Sequence, residues 1–179
     1  MTETITEEYK ELLRWEHENT PGKWGHTAKM YVSTIVKFAE GRTQWLDYGA
    51  GHGGLGKAVR EVHGDDAFDI SEYEPSRPDA TMPEPSEYVV CIDVLEHIEP
   101  DLLENVLDDL KRVTVDRGYF TISCRKASKI LKDGRNAHLI VEEPEWWVPK
   151  LHERFNVLDI KWEPQDRNLR VLLEKKNDE

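Results

Sequence analysis

Five glycines fall within eight residues, at positions 49–56, directly after a short apolar run. The stretch over residues 45–56 reads WLDYGAGHGGLG. Glycine is used this densely where a backbone turns tightly and lets another group approach closely. The stretch therefore predicts a strand over residues 45–48, a loop that faces a ligand, and a helix over residues 55–62.

The rest of the sequence predicts strands that alternate with helices. Further strands are expected over residues 67–73, 87–92, 118–123, 156–162 and 169–175, and further helices over residues 101–113 and 143–155, the last interrupted or bent near Pro149. This alternation is typical of a three-layer α/β sandwich, in which helices cover both faces of a mostly parallel sheet. The two closing strands predict a C-terminal antiparallel hairpin.

Two helices are expected ahead of the glycine loop. The first covers residues 7–17 and is broken by Pro21 and Gly22. The second covers residues 26–41, and its periodicity places Met30, Ile35 and Phe38 toward the core.

Four prolines lie within residues 74–86, where an α/β fold of this kind would carry its third strand. Proline removes a backbone donor and breaks helices, so neither a full helix nor a full central strand fits there. The region around the third strand is therefore predicted to be shortened.

The net charge of −12 limits the partners of the chain. A protein that holds duplex DNA offsets phosphates with Lys and Arg, and the densest basic stretch here is only residues 125–135. We therefore expect no non-specific duplex binding. No run of 18 apolar residues occurs, and the acidic N-terminus lacks the features of a signal peptide, so we expect no membrane partner. Cys91 and Cys124 are expected to be buried reduced thiols, which suits a cytoplasmic protein.

The glycine loop fits the dinucleotide-binding pattern G-x-G-x-x-G in two overlapping frames. The frames are Gly49, Gly51 and Gly54, and Gly51, Gly53 and Gly56. A nicotinamide-dependent oxidoreductase is thus one interpretation, although the pattern alone is weak. A nucleoside-triphosphate loop is excluded, because Lys57 is followed by alanine rather than serine or threonine.

The acid two residues before the first glycine distinguishes between cofactors. Asp47, followed by glycines at positions 49, 51 and 53, resembles the first motif of the class I S-adenosylmethionine-dependent methyltransferases. Residues 89–100, VVCIDVLEHIEP, resemble the segment after that family's fourth strand, including its Asp-Val-Leu-Glu-His core. Glu74 and Pro75 resemble the acidic end of its second strand, and the late hairpin suits its last two strands.

The resemblance covers most of the chain and implies a Rossmann-like fold with S-adenosylmethionine as cofactor. It implies a single methyltransferase domain over residues 1–179, in which residues 1–42 form an N-terminal helical lid and residues 43–179 form the cofactor-binding core. The cofactor contacts that it implies are Asp47, Gly49, Ala50, Gly51, Gly53, Glu74, Asp93 and Val94.

The individual roles follow from the shape of the cofactor. Asp47 would orient the loop and attract the ammonium group, and Glu74 would accept two ribose hydroxyl hydrogens at once. Glu72 is the alternative, because strand ends predicted from sequence are uncertain by a few residues. The candidates beside the adenine are Asp79, Ala80, Thr81 and Met82.

The reaction that the resemblance implies is direct in-line methyl transfer, with His138, Asp93 and His97 as catalytic candidates. An imidazole is a suitable general base near neutral pH if the acceptor is a hydroxyl or an amine. Two placements are expected for Trp146 and Trp147. Either both lie in the core, or one lies in the core and the other stacks on a planar acceptor.

A metal site is the alternative use of the same histidines. Small-RNA 2′-O-methyltransferases and ubiquinone-pathway O-methyltransferases carry a metal site that Asp93, Glu96, His97 and His138 resemble. Two carboxylates and two imidazoles suit Mg²⁺, Mn²⁺ or Zn²⁺. The Asp-Val-Leu-Glu-His stretch also occurs in family members that use no metal, and we expect none here.

Size and charge favour a small-molecule or nucleotide-type acceptor, methylated on oxygen or nitrogen. Two other function classes stay open from the sequence. One is a non-catalytic protein that binds S-adenosylmethionine, and the other is the nicotinamide-dependent oxidoreductase.

Overall fold

A six-stranded sheet forms the centre of the computed structural model, which describes residues 3–20, 24 and 27–176. The strands are β1 (Gln44–Tyr48), β2 (Asp69–Tyr73), β3 (Ser86–Ile92), β4 (Thr114–Ser123), β5 (Phe155–Glu163) and β6 (Asn168–Lys175). Their order across the sheet is β2-β1-β3-β4-β6-β5. The first four are parallel to one another, whereas β6 runs antiparallel to β4 and to β5. The mostly parallel sheet and its C-terminal antiparallel hairpin confirm the predicted fold class.

In the described residues, five α-helices accompany the sheet. They are α1 (Glu7–Asn19), α2 (Val32–Ala39), α3 (Gly54–His63), α4 (Leu103–Val113) and α5 (Pro144–Arg154). One apolar cluster joins α4 and α5 to the sheet, and a second joins α2 and α3 to it. The sheet is therefore covered on both faces, as the alternating pattern predicts. Among the described helices, none combines the length and apolar character that a bilayer crossing needs.

The proline-rich segment shortens the fold as expected. Residues 74–85 contain neither a helix nor a strand, and β2 consequently lies at one edge of the sheet. Because β2 pairs in parallel with β1, Asp47 is level with Glu72, and Glu74 follows the end of the strand. Glu74 therefore leaves the sheet at the edge where the glycine loop begins.

The second N-terminal helix differs from its prediction. Residues Thr27–Tyr31 form a 3-10 helix before α2 begins, and this tighter winding changes which side chains face the core. Ile35 is fully buried as predicted, but Met30 is 66% exposed, so its inward placement is wrong. The predicted break at Pro21 and Gly22 lies outside the described residues.

Two further predictions concern the helix that contains Pro149 and the two cysteines. α5 continues through Pro149 to Arg154. Cys91 and Cys124 are both buried and unpaired, as predicted.

Candidate active site

A cavity of about 860 Å³ opens at the carboxyl ends of the parallel strands. One half is lined by the glycine loop and by the residues that follow β2 and β3. The other half is lined by α1, by residues 27–31, by residues 125–129 and by the turn between β5 and β6. Ligands of open parallel sheets bind at this edge, beside the strand where the chain order reverses. The volume is in the range of cavities that hold small molecules.

The glycine loop curls around the end of β1. Gly49 and Gly51 adopt left-handed φ values of 79° and 51°, and both line the cavity. The Gly49 and Ala50 amides donate to the Tyr73 carbonyl oxygen at 2.8 and 2.9 Å, which fastens the loop to β2. A side chain at Gly49 would meet the Val94 Cγ2 atom at 2.4 Å. Glycine is thus required here both by the backbone conformation and by close packing.

Gly53, for which the resemblance implies a cofactor contact, lies at the start of α3. It caps α3 with a φ of 73° and is not among the residues that line the cavity. A Cβ atom at this position would lie 2.6 Å from a Glu72 carboxylate oxygen. Glycine is therefore needed at this position for helix entry and for packing against Glu72.

Asp47 lies at the base of the cavity with only 4% of its surface exposed. Burial raises the pKa of its carboxyl group to about 8, and the nearby negative charge of Glu72 adds to the increase. A buried acid with an elevated pKa in a cleft is a typical feature of a binding site. A cationic group bound beside Asp47 would stabilise its ionised form.

Glu74 is also buried, and its carboxylate is held by three hydrogen bonds. The Ser76 amide and hydroxyl donate to Oε1 at 3.1 and 2.7 Å, and the Gly51 amide donates to Oε2 at 3.1 Å. A carboxylate offers about four lone-pair sites, so one site on Oε2 stays available. In this arrangement Glu74 has room for one further hydroxyl hydrogen, whereas the sequence analysis expected it to accept two.

Glu72, the alternative acid, points elsewhere. Its carboxylate accepts from Arg77 at 2.8 Å and is not part of the cavity lining. Arg77 in turn donates to the Gly51 carbonyl oxygen at 3.1 Å from Nε. Glu72 and Arg77 thus support the glycine loop from outside the cavity.

Asp93 follows β3 in a left-handed conformation with a φ of 52°, which is uncommon for a residue other than glycine. The Thr121 hydroxyl donates to its carboxylate at 2.5 Å, and the Asp93 amide donates back to that hydroxyl at 3.0 Å. Backbone strain of this kind is typical of functional sites, where neighbouring groups hold it in place. Both Asp93 and the next residue, Val94, line the cavity.

His97 and His138 lie together in the same cavity, with 4.8 Å between their ring centroids. The Nδ1 atom of His97 is 2.7 Å from the Ala137 carbonyl oxygen, and that of His138 is 2.5 Å from the Arg125 carbonyl oxygen. A carbonyl oxygen can only accept, so both Nδ1 atoms carry the hydrogen and both Nε2 atoms offer a lone pair. Burial lowers the pKa of His97 to about 3 and also lowers that of His138.

Glu96 lies beneath the two imidazoles and is fully buried. Its Oε1 accepts from the Ser123 amide at 2.9 Å, whereas Oε2 is buried without a hydrogen-bond partner in the described part of the chain. Burial raises the pKa of Glu96 well above its ordinary value. Ligand atoms of Glu96, His97 and His138 lie within 4.8 Å of one another, but Asp93 is not in this group. The structure thus brings together three of the four residues considered for a metal.

Other candidates do not reach the cavity. Asp79, Ala80, Thr81 and Met82 are not among its lining residues, although Glu74 and Pro75 at the start of the same segment are. Trp147 is fully buried in the core, and Trp146 is 37% exposed, away from the cavity. The possibility that one of the two tryptophans stacks on the acceptor therefore has no support in the geometry.

Several lining residues were missed by the sequence analysis, above all on α1. Tyr9, Leu13 and His17 face the cavity from this helix. The Tyr9 hydroxyl donates to the His97 carbonyl oxygen at 2.9 Å, which joins the helix to the imidazole pair. One polar residue of this helix, Glu16, is buried, which would mark the helix as packed against other segments. Sequence alone does not separate such an acid from a solvated one.

Residues 10–174 match the model of a family described as a methyltransferase domain. The match covers most of the chain, including the glycine loop, the segment after β3 and the hairpin. No curated protein matches the sequence at a significant level.

Solved structures with the same fold are numerous, and three illustrate the range. The 1,6-didemethyltoxoflavin-N1-methyltransferase of Burkholderia thailandensis, solved with 1,6-didemethyltoxoflavin and S-adenosylhomocysteine, superposes with a TM-score of 0.68 and 18% identity over 99% of this chain and 93% of its own. The N-methyltransferase NodS of Bradyrhizobium japonicum, solved with S-adenosylhomocysteine, superposes with a TM-score of 0.54 and 12% identity. The match covers 82% of this chain and 88% of NodS. The (4+2)-cyclase SpnF superposes with a TM-score of 0.54 and 10% identity, over 82% of this chain and 80% of its own.

Proposed function

The chain belongs to the methyltransferase-domain family, and from this premise we propose that it moves a methyl group from S-adenosylmethionine directly to a small-molecule or nucleotide-type acceptor. The acceptor atom is an oxygen or a nitrogen. The observation that carries the proposal is a cavity lined both by the acids Asp47 and Glu74 and by the imidazoles of His97 and His138. A donor and an acceptor bound there would lie side by side.

The residues of the cavity fit S-adenosylmethionine in charge and in shape. Two buried acids, Asp47 and Glu74, suit its ammonium group and a ribose hydroxyl. Gly49 and Gly51 line the cavity in left-handed conformations and present backbone there, which lets a ligand approach the loop closely. When bound, the cofactor supplies an electrophilic methyl group on a cationic sulfur.

His138 is the residue that we assign as general base. Its Nδ1 hydrogen is held by the Arg125 carbonyl oxygen, so Nε2 is the atom that can take a proton from the acceptor. The lowered pKa keeps the imidazole neutral, and thus able to accept, at physiological pH. The negative charge of Asp93 favours the protonated form of His138 and would stabilise it after the transfer.

His97 supports this step by holding its neighbour. It stays neutral because burial lowers its pKa to about 3, and its ring meets that of His138 edge to face. In-line methyl transfer needs no covalent enzyme intermediate, so positioning supplies much of the acceleration. Well-oriented reactions gain roughly 7–11 kcal/mol from this source.

A metal-assisted version of the same reaction is the second candidate. Glu96, His97 and His138 could hold a divalent ion, and Nδ1 hydrogens bound to backbone carbonyls are typical of metal-ligating histidines. Such an ion would act as a Lewis acid that makes the acceptor easier to deprotonate. We favour the metal-free version, because His138 alone already provides a base with a free Nε2 atom.

The remaining parts of the proposal follow from charge and thiol chemistry. With a net charge of −12, the chain is not expected to bind duplex DNA non-specifically. The two unpaired buried thiols suit a cytoplasmic location.

The proposal is tested in two steps. Calorimetry with S-adenosylhomocysteine and with NAD comes first, and we expect binding of S-adenosylhomocysteine alone. NAD binding in its place would favour an oxidoreductase. A screen of metabolites and nucleotides with methyl-labelled S-adenosylmethionine follows, with both hydroxyl and amine acceptors. Cofactor binding without label transfer to any of them would favour a non-catalytic binding protein.

A further inference from the structure

The carboxylate of Glu74 is connected to α1 through one serine. The Ser76 hydroxyl lies 2.7 Å from Glu74 Oε1 and 3.1 Å from the Nδ1 atom of His17 on α1. A carboxylate only accepts, so the hydroxyl hydrogen points to Glu74 and the hydroxyl oxygen accepts from His17. His17 therefore carries its hydrogen on Nδ1, and the three side chains form one directed chain of hydrogen bonds.

A second bond from α1 fixes the same serine. The Arg14 Nε atom donates to the Ser76 carbonyl oxygen at 3.1 Å, one helical turn before His17. Ser76 is 1% exposed and Glu74 is 7% exposed, so water has little access to replace these contacts. Buried networks in which every member is satisfied restrict their groups to one arrangement.

The residue next to His17 fastens α1 through separate partners. The Glu16 carboxylate is 2% exposed, and it pairs with Lys129 Nζ at 2.9 Å and accepts from the Lys132 amide at 2.7 Å. Loss of the His17 contact would therefore leave α1 attached to the segment that contains Lys129. This makes it feasible to alter the connection to Glu74 without removing the helix.

We propose that His17 and Ser76 are positioning residues that hold the Glu74 carboxylate ready for a ribose hydroxyl and so link the packing of α1 against Ser76 to cofactor affinity. The inference rests on the proposed function, in which Glu74 contacts the ribose. Neither residue touches the reacting methyl group. Ser76 acts through Glu74, and His17 acts through Ser76.

The test is calorimetry of S-adenosylhomocysteine binding to single variants. Ser76→Ala removes a hydrogen bond to a charged group and should weaken binding about tenfold or more. Ser76→Thr keeps the hydroxyl and should restore affinity. His17→Asn places an N–H near the original Nδ1 position and should bind better than His17→Gln, whose N–H lies farther out. Ser71→Ala, which alters a β2 hydroxyl bonded to the Trp45 carbonyl oxygen, is the matched control.

The 2′,3′-dideoxyribose analogue of S-adenosylhomocysteine separates positioning from general destabilisation. If Ser76 acts through the ribose contact, the Ser76→Ala penalty should disappear with this analogue, and so should the penalty of Glu74→Ala. An equal penalty for both ligands, or a threonine variant as weak as the alanine variant, would overturn the inference. Should Glu74→Ala lose the same affinity for both ligands, while the native chain still binds S-adenosylhomocysteine, the inference fails but the methyltransferase proposal stands.

Discussion

His97 and His138 meet edge to face, and each commits its Nδ1 hydrogen to a backbone carbonyl oxygen. Both rings therefore direct a lone pair, not a hydrogen, into the space that they share. Glu96 adds a buried oxygen without a partner among the described residues. Whatever binds at this place has to bring a hydrogen or a positive charge, which an acceptor hydroxyl, an amine or a metal ion would each do.

Replacing the proposed base should separate chemistry from binding. His138→Ala should lower the turnover of the acceptor found in the screen about 100- to 10,000-fold, the usual contribution of general base catalysis. Affinity for S-adenosylhomocysteine, measured by calorimetry, should change little, because His138 is assigned to the acceptor and the cofactor is assigned to Asp47 and Glu74. His152→Ala on the exposed side of α5 is the control and should leave both quantities unchanged. A large loss of cofactor affinity in His138→Ala would contradict this assignment.

Chelation distinguishes the two versions of the reaction. Without a metal, the native enzyme should keep its turnover after treatment with EDTA and dialysis. If Glu96, His97 and His138 share an ion, turnover should stop and return on addition of Mg²⁺ or Mn²⁺. Replacement of any one ligand should then have a similar effect, because the site acts as a unit. Activity restored by metal would show that the metal-free version is wrong.

The glycine loop is tested with two matched substitutions. Gly51→Val should abolish S-adenosylhomocysteine binding, since Gly51 lines the cavity, donates to Glu74 and has a left-handed φ that β-branched residues avoid. Gly64→Val imposes similar strain at a φ of 88°, where a Cβ atom meets nothing within 4 Å. Both variants should lose stability, measured by urea unfolding, but only the first should lose the ligand. Unchanged affinity in Gly51→Val would remove the loop from the binding site.

The two acids near the end of β2 should behave differently. Glu74→Ala should weaken S-adenosylhomocysteine binding by about 1.5–3 kcal/mol, the range for hydrogen bonds to charged groups. Glu72→Ala should have a smaller effect, because its carboxylate lies outside the cavity lining and accepts from Arg77. Calorimetry on both variants measures the difference. The opposite ranking would mean that Glu72, as the sequence analysis allowed, is the ribose ligand.

The buried carboxyl of Asp47 should make stability depend on pH. Its folded pKa of about 8 lies above the ordinary value of 3.8. Between about pH 4 and 8 the folded chain therefore keeps a proton that the unfolded chain has already released. The free energy of unfolding should therefore decline as pH rises through this window, by at most about 1.4 kcal/mol per unit for this group.

Asp47→Asn removes the titration and tests this expectation. The variant should gain stability relative to the native chain as pH rises from 4 to 8, while losing affinity for S-adenosylhomocysteine. Urea unfolding at pH 5 and pH 8 gives the stability difference. If the difference between variant and native chain is the same at both pH values, the Asp47 carboxyl does not titrate as described.

Much of the architecture could be predicted because its signals are local. The apolar runs of β1, β3 and β4 and the glycine loop are readable over a few residues each, and the prolines of residues 74–86 exclude regular structure directly. Glu74 directly follows the strand predicted over residues 67–73, and the structure places it in the lining of the cavity.

The parts that failed depend on contacts between distant segments. Met30 was placed inward because one regular helix was assumed, and the 3-10 winding before α2 changes its direction. Glu16 and His17 have the appearance of a solvated helix face in the sequence. Their partners, Lys129 and Ser76, lie 113 and 59 residues away along the chain, beyond the reach of any periodicity argument.

The shortened region has a consequence for how copies of the chain meet. No described strand lies beyond β2, which is therefore an edge strand of the sheet. The backbone groups of an edge strand could pair with another chain and extend the sheet. The strand is only five residues long, it carries Asp69 and Glu72, and prolines follow it closely. Short length, charge and proline are the devices that keep natural edges from aggregating. The chain thus lacks a strand beyond β2 in its described part, but the edge strand that results is protected against pairing with other chains.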